Sequence, residues 1–136
     1  MNYELKEALC VDAACSGNPG PMEYRGVHIP SRRQIFHFGP IQGTNNIGEF
    51  LAIVHGLALM KQQGISMPIY SDSVSGMAWV RNRKAKTTLV RNEQTAQALD
   101  LVARAENWLR NNPTNTPILK WNTEEWGEIP ADFGRK

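Results

Sequence analysis

Between residues 45 and 64, "NNIGEFLAIVHGLALMKQQG" places Ile47, Phe50, Leu51, Val54, Leu57 and Ala58 three and four positions apart. That is the period of one helical face, so the spacing predicts a helix. Thr44 to Asn46 offer capping oxygens ahead of it, and Gly64 offers a stop behind it. Upstream the apolar runs are shorter and denser. "ELKEALCVDA" has the apolar density of a strand and "GNPGP" ends it, which puts Asp12 at a strand end. "YRGVHIP" and "RQIFHFGP" predict two more short strands, each closed by proline, and the three together predict an antiparallel meander.

Downstream, "SMPIYSD" predicts a strand ending in Asp72, and "SVSGMAWVRN" a short helix. "NEQTAQALDLVARAENWLRNN" predicts a long amphipathic helix with Ala96, Leu99, Val102, Ala103, Ala105 and Trp108 on its inner face. "TPILKWN" predicts a fifth strand. "EEWGEIPADFGRK" predicts a last helix with Pro130 in its first turn, where a missing N–H costs least. The order β-β-β-α-β-α-α-β-α implies an α/β fold, a five-stranded mixed sheet flanked by helices.

Composition narrows this little. At 136 residues, 41% hydrophobic and 21% charged, the chain has the make-up of one ordinary globular domain spanning 1–136. No apolar run approaches the roughly 18 residues of a membrane span, and the N-terminus lacks a signal-peptide pattern, so the expectation is a cytoplasmic protein. Cys10 and Cys15 lie five residues apart without zinc-ligand spacing, which predicts reduced thiols. The net charge is only +2, but "RNRKAKTTLVRN" gathers Arg81, Arg83, Lys84, Lys86 and Arg91. Such a segment is a solvated face unless something beside it reads phosphate.

The acids change the picture. Asp12 and Asp72 close strands, Glu49 falls in the first turn of the first long helix, and Asp132 falls in the last predicted helix. In an open sheet, strand ends and adjacent helix starts converge on one rim, where ligands bind. Carboxylates gathered there repel one another, and divalent cations remove the conflict; oxygen-only ligands suit Mg²⁺ or Mn²⁺. Singly, each acid fits an exposed or capping role better than that of a ligand. Only the arrangement speaks for a metal site.

Four blocks carry a more specific signal: "VDAACSGNPG", "GTNNIGEFLAIVHGL", "PIYSDS" and "KWNTEEWGEIPADFGRK". In order and spacing they resemble the successive motifs of type 1 ribonuclease H, in the bacterial branch that ends in "WGEI-ADFGRK". The resemblance implies the ribonuclease H-like fold and hydrolysis of the RNA strand of RNA/DNA hybrids, leaving 3′-hydroxyl and 5′-phosphate ends. It implies two Mg²⁺ ions, with Mn²⁺ as substitute, held by Asp12, Glu49, Asp72 and Asp132. Glu128 matches a glutamate of this branch that perturbs one metal and helps product leave; four residues before Asp132, it is expected on the same helical face.

The resemblance also assigns substrate contacts. Cys15, Ser16, Gly17, Asn18, Asn45, Asn46 and Glu49 match positions that read the RNA strand, where 2′-hydroxyls meet backbone and short polar groups. Thr44, Asn46, Thr87, Thr88 and Thr123 match a pocket for a DNA-strand phosphate, and Trp79 an aromatic platform under a deoxyribose. Val74 departs from the family's usual glutamine, and Ala14 and Cys15 from its usual glycine and serine. A monomer acting on a hybrid is the expectation. The rivals are a DNA-processing nuclease or strand transferase of the same fold and a non-catalytic hybrid-binding module. Retention of all four acids speaks against the latter.

Overall fold

In the computed structural model, which describes residues 7–134, three antiparallel strands meet two parallel ones in a single sheet. β1 (Leu9–Cys15), β2 (Gly20–His28) and β3 (Arg33–Gly43) form the meander. β4 (Ile69–Ser71) and β5 (Ile118–Lys120) add parallel strands, giving the order β3-β2-β1-β4-β5. The helices are α1 (Asn45–Gln63), α2 (Val74–Asn82), α3 (Ala96–Asn111) and α4 (Thr123–Trp126). The five-stranded mixed sheet with flanking helices is the expected architecture. Among the described residues, no helix is long and apolar enough to cross a membrane.

Asp12 does not close its strand. β1 continues to Cys15, paired with Met22, and Gly20 and Pro21 of the expected terminator already belong to β2. The apolar run and the turn formers are joined by a stretch that still pairs, because the hairpin partner supplies its hydrogen bonds. On the other side, pairing of β1 with β4 stops at Cys10 opposite Tyr70. Asp12 therefore stands where the parallel half of the sheet ends and the antiparallel half runs on.

α1 starts and stops where its sequence predicts. Thr44 Oγ1 accepts from the Ile47 N–H at 3.2 Å, and Gly64 turns left-handed at φ 69°. The helix lies very close to the sheet at Gly48. A Cβ there would come within 2.8 Å of Ala13 Cβ and 3.0 Å of Met22 Sδ. The absent side chain sets the depth at which α1 sits.

Three further expectations fail. β3 is not closed by Pro40 but runs on to Gly43. The inner face of α3 is Ala98, Val102, Ala105 and Leu109: Val102 and Ala105 are buried as expected, Ala96, Leu99 and Trp108 are only partly covered, and Ala103 is exposed. Both stripes have helical spacing; the choice is made by Glu106, which is buried so that a carboxylate oxygen can accept from the Ala85 N–H at 2.8 Å. The last helix is also not where it was expected. α4 covers only Thr123–Trp126, started by Asn122 accepting from the Glu125 N–H and ended by Gly127 at φ 79°. Residues 127–134 follow as turns, so Glu128 and Asp132 share no helical face.

The sheet is covered differently on its two sides. Leu9, Val11 and Ala13 join α1 and its neighbours in the larger core, with Phe50, Ile53 and Met60 fully or almost fully buried. Ala8 and Cys10 face the opposite way, as alternation along a strand requires. They join a smaller cluster with Val27, Ile29, Tyr70, Trp121, Ile129 and Ala131. The lid of that second cluster is α4 and the turns after it.

Candidate active site

Asp12, Glu49 and Asp72 converge from three different elements. Each offers a carboxylate oxygen, and these oxygens lie within 4.8 Å of one another. Asp12 is 0% and Glu49 3% exposed, while Asp72 is half-buried. Glu49 arrives from the first turns of α1. Asp72 follows the last residue of β4, one position before Ser73, whose Oγ accepts from the Gly76 N–H at 2.9 Å to start α2. Two acids held this deep beside a third repel strongly in a medium that screens poorly, and a divalent cation is the natural counter-charge. The donor set fits one: all oxygen, all carboxylate, on rigid supports.

Asp132 stands apart from that trio in its support. Its backbone N–H donates to Ile129 O at 2.9 Å, and its Oδ2 accepts from the Gly134 N–H at 3.0 Å, closing a turn rather than a helix. Oδ1 is shielded from solvent. Arg25 of β2, the cross-strand partner of Asp12, donates from Nε to Ala131 O at 2.8 Å and from a terminal nitrogen to Asp132 O at 2.7 Å. Glu128 is exposed in the turn after α4.

The expected substrate residues fall into two adjoining clefts. One, of about 540 Å³, contains the acids Glu49 and Asp72 together with Cys15, Ser16, Asn18, Asn45 and Ser73. Gly17 lies in the turn between Ser16 and Asn18, at φ 99°. The Cys15 thiol has two carbonyl acceptors for its single hydrogen, Gly17 O at 2.7 Å and Gly43 O at 3.5 Å, and partial burial pushes its pKa up, so it works here as a neutral polar wall. The second cleft, of about 610 Å³, is lined by Thr44, Asn46, Trp79, Thr87 and Thr88. Trp79 is half-buried, its inner edge against Phe50 at a centroid distance of 6.1 Å.

Asn18 and Asn45 line both clefts, and Asn18 Oδ1 accepts from the Asn45 N–H at 3.0 Å. Thr123 is exposed at the start of α4 and is not part of the second cleft's wall. Lys86 of the basic segment lies in that wall, and so do two polar residues outside the expected contacts, Asn92 and Thr95. Asn92 and Thr95 were taken into the helix that in fact begins at Ala96. Asn92 Oδ1 accepts from the Gln94 and Thr95 N–H groups, and Thr95 Oγ1 donates to Val90 O at 2.6 Å. A polar pair three apart before an apolar run is the signal for such a turn. Val74 is 71% exposed at the first position of α2.

With this geometry in hand, comparison with known proteins gives a consistent result. The RNase H family model matches residues 5–116. The chain is 34% identical over 119 residues to a ribonuclease H of Legionella pneumophila (strain Corby), covering 76% of this chain and 79% of that one. It is 38% identical over 120 residues to a ribonuclease H of Bordetella avium (strain 197N), covering 76% and 77%. Among solved structures, RNase H1 from the halophilic archaeon Halobacterium salinarum NRC-1 superposes with a TM-score of 0.55 at 20% identity, covering 87% of this chain and 86% of that one. That last likeness concerns the fold. The family-model match stops short of Glu128 and Asp132, which lie beyond residue 116.

Proposed function

The chain belongs to the RNase H family, and from that premise we propose that it is an endoribonuclease hydrolysing the RNA strand of RNA/DNA hybrids to 3′-hydroxyl and 5′-phosphate ends. One observation carries the reading: the Asp12, Glu49 and Asp72 carboxylates lie within 4.8 Å of one another, and two of them, Glu49 and Asp72, line a cleft that shares Asn18 and Asn45 with a second, threonine-lined cleft. Asp12, Glu49 and Asp72, with Asp132 as the fourth ligand, would hold two Mg²⁺ ions, or Mn²⁺ in their place. Bound there, such ions supply an activated water and charge for the leaving oxygen.

The chain's own residues do the rest. Asn45 and the backbone and side chains from Cys15 to Asn18 face the RNA strand, where donors and acceptors at that depth can report a 2′-hydroxyl. Thr44, Asn46, Thr87 and Thr88 surround a phosphate of the DNA strand with hydroxyl and amide donors, and Lys86 adds a cation beside them. Trp79 offers its exposed edge to the adjoining sugar. Thr123, exposed at the start of α4, is the one expected donor outside that wall. The acids come from one chain, which suits action as a cytoplasmic monomer. Glu128, exposed in a turn four residues before Asp132, would help product leave by perturbing the ligand set after cleavage; Glu128→Gln should slow multiple-turnover cleavage while sparing the first cut on pre-bound hybrid.

The decisive assay incubates labelled RNA/DNA hybrid, double-stranded DNA and double-stranded RNA with the protein and Mg²⁺. Only the RNA strand of the hybrid should be cut. Cleavage of duplex DNA would transfer the site to the DNA-processing relatives of the fold, and binding without cleavage would make it a recognition module.

A further inference from the structure

One side chain holds the backbone from which Asp132 projects. Besides the bonds to Ala131 O and Asp132 O, the Arg25 guanidinium lies 3.5 Å from Pro130 O and 5.0 Å from the centroid of the Phe133 ring. Three successive carbonyls and the following aromatic ring thus converge on one planar group. The opposite end of that group is steadied by Gln34 Oε1, 3.5 Å from the remaining nitrogen. The segment it grips has no regular ladder of its own, since residues 127–134 form turns. Arg25 also stands directly across β2 from Asp12. Directly opposed residues on antiparallel strands project from the same face, so the grip and the first acid share one side of the sheet.

We propose that Arg25 is a positioning residue for the reaction, fixing where the Asp132 carboxylate stands relative to Asp12, Glu49 and Asp72. This rests on the reading of Asp132 as the fourth ligand. The division of labour follows from the supports. Asp12 and Glu49 sit within a strand and a helix, whose own hydrogen bonds fix their backbone, and Asp72 is held between the end of β4 and the capped start of α2. Asp132 is placed by a turn, and a turn is only as rigid as its external partners. Arginine suits the task because its donors form a fixed planar fork that several carbonyls can share, whereas lysine offers a mobile point charge.

The test compares Arg25→Met, Arg25→Lys and Asp132→Asn, singly and as the Arg25→Met/Asp132→Asn double variant, well below each variant's Tm. Arg25→Met should lower kcat on hybrid by about 10- to 100-fold, the usual cost of losing a group that orients a metal ligand. KM for hybrid should stay within about threefold, because no substrate contact is removed. In the metal-free protein, amide exchange at Gly134, whose N–H is bonded to Asp132 Oδ2, should accelerate. Calorimetric titration with Mn²⁺ alone should show weakened binding. In the Asp132→Asn background, Arg25→Met should cost less than about twofold more, since both changes remove one function. Arg25→Lys should fall between wild type and Arg25→Met, and it carries the test if Arg25→Met does not fold. Wild-type kcat in either Arg25 variant, or losses that multiply in the double variant, would overturn the proposal. Wild-type cleavage by Asp132→Asn would instead overturn the Asp132 reading, and faster Gly134 exchange in Arg25→Met would then still identify Arg25 as a purely structural clamp.

Discussion

The two sides of the sheet are built by different rules. On one side α1 lies against β1 with caps at both ends, and its packing sets the depth from which Glu49 projects. On the other, Tyr70, Trp121 and Trp126 form an edge-to-face aromatic trio, with Trp121 and Trp126 centroids 5.0 Å apart, and hold down a segment that is mostly turn. Trp121 Nε1 donates to Gly127 O at 2.8 Å, so the trio is tied to the turn as well as covering it. The helical side gets its precision from repeating backbone bonds. The aromatic side gets it from a few large side chains and one arginine. With Asp132 as the fourth ligand proposed above, a site assembled from both would be rigid for three acids and dependent on side chains for the fourth.

The sharpest way to use that contrast is to remove one acid from the rigid side. Asp72→Asn keeps shape and loses charge, so hybrid cleavage should fall on the order of 100- to 1000-fold or more while the fold and hybrid binding persist. Substantial cleavage with a normal Tm would take Asp72 out of the cluster. Next comes the aromatic side. Trp121→Ala removes a fully buried indole and its hydrogen bond, which should cost about 3–5 kcal/mol in denaturant unfolding. Because the turn it anchors leads to Asp132, cleavage should slow even where the variant is folded. An unchanged rate there would show that the two sides are uncoupled.

Smaller effects refine the comparison. Thr88→Ala should raise KM for hybrid about fivefold, the worth of one hydrogen bond of about 1 kcal/mol, and leave kcat nearly unchanged. A loss confined to kcat would break its assignment to substrate grip. The smallest effect concerns His55 on α1, which stacks on Phe36 at 4.1 Å with its Nδ1 2.8 Å from the Tyr24 hydroxyl. Burial lowers its pKa below the ordinary 6.5. The unfolded chain therefore takes up that proton first, and stability is lost as pH falls through about 6.5 towards the folded value. Tm measured from pH 7 to pH 5 should drop, and His55→Phe should flatten that slope. An equal slope in the variant would assign the acid sensitivity to other groups.

How much of this was readable in advance follows the same divide. The bounds of α1 were legible because period, cap and stop agreed within one stretch of chain. Asp12, Glu49 and Asp72 were legible as an arrangement because each sits beside a clear end signal, although Asp12 proved to lie inside a longer strand. The inner face of α3 was not, because two apolar stripes compete on it and the need of the Ala85 N–H for Glu106 decides between them. Nor was the turn that carries Asp132. Gly127 and Pro130 are visible breakers, but what organises the turn is Arg25, about a hundred residues earlier in the chain, and no local pattern encodes that contact.

Gly48 has a consequence that reaches past packing, into ionic size. A side chain there would push α1 away from Ala13 and Met22, and Glu49, the next residue, would retreat from Asp12 with it. Oxygen ligands stand about 2.1 Å from Mg²⁺ and about 2.3–2.6 Å from Ca²⁺, a difference of a few tenths of an ångström. That is the same scale as the shift a single methyl group would force. For any cation held by this cluster, the spacing of two of its oxygens, and with it the ionic radius that suits them, would rest on a hydrogen atom on a helix, one residue away from Glu49.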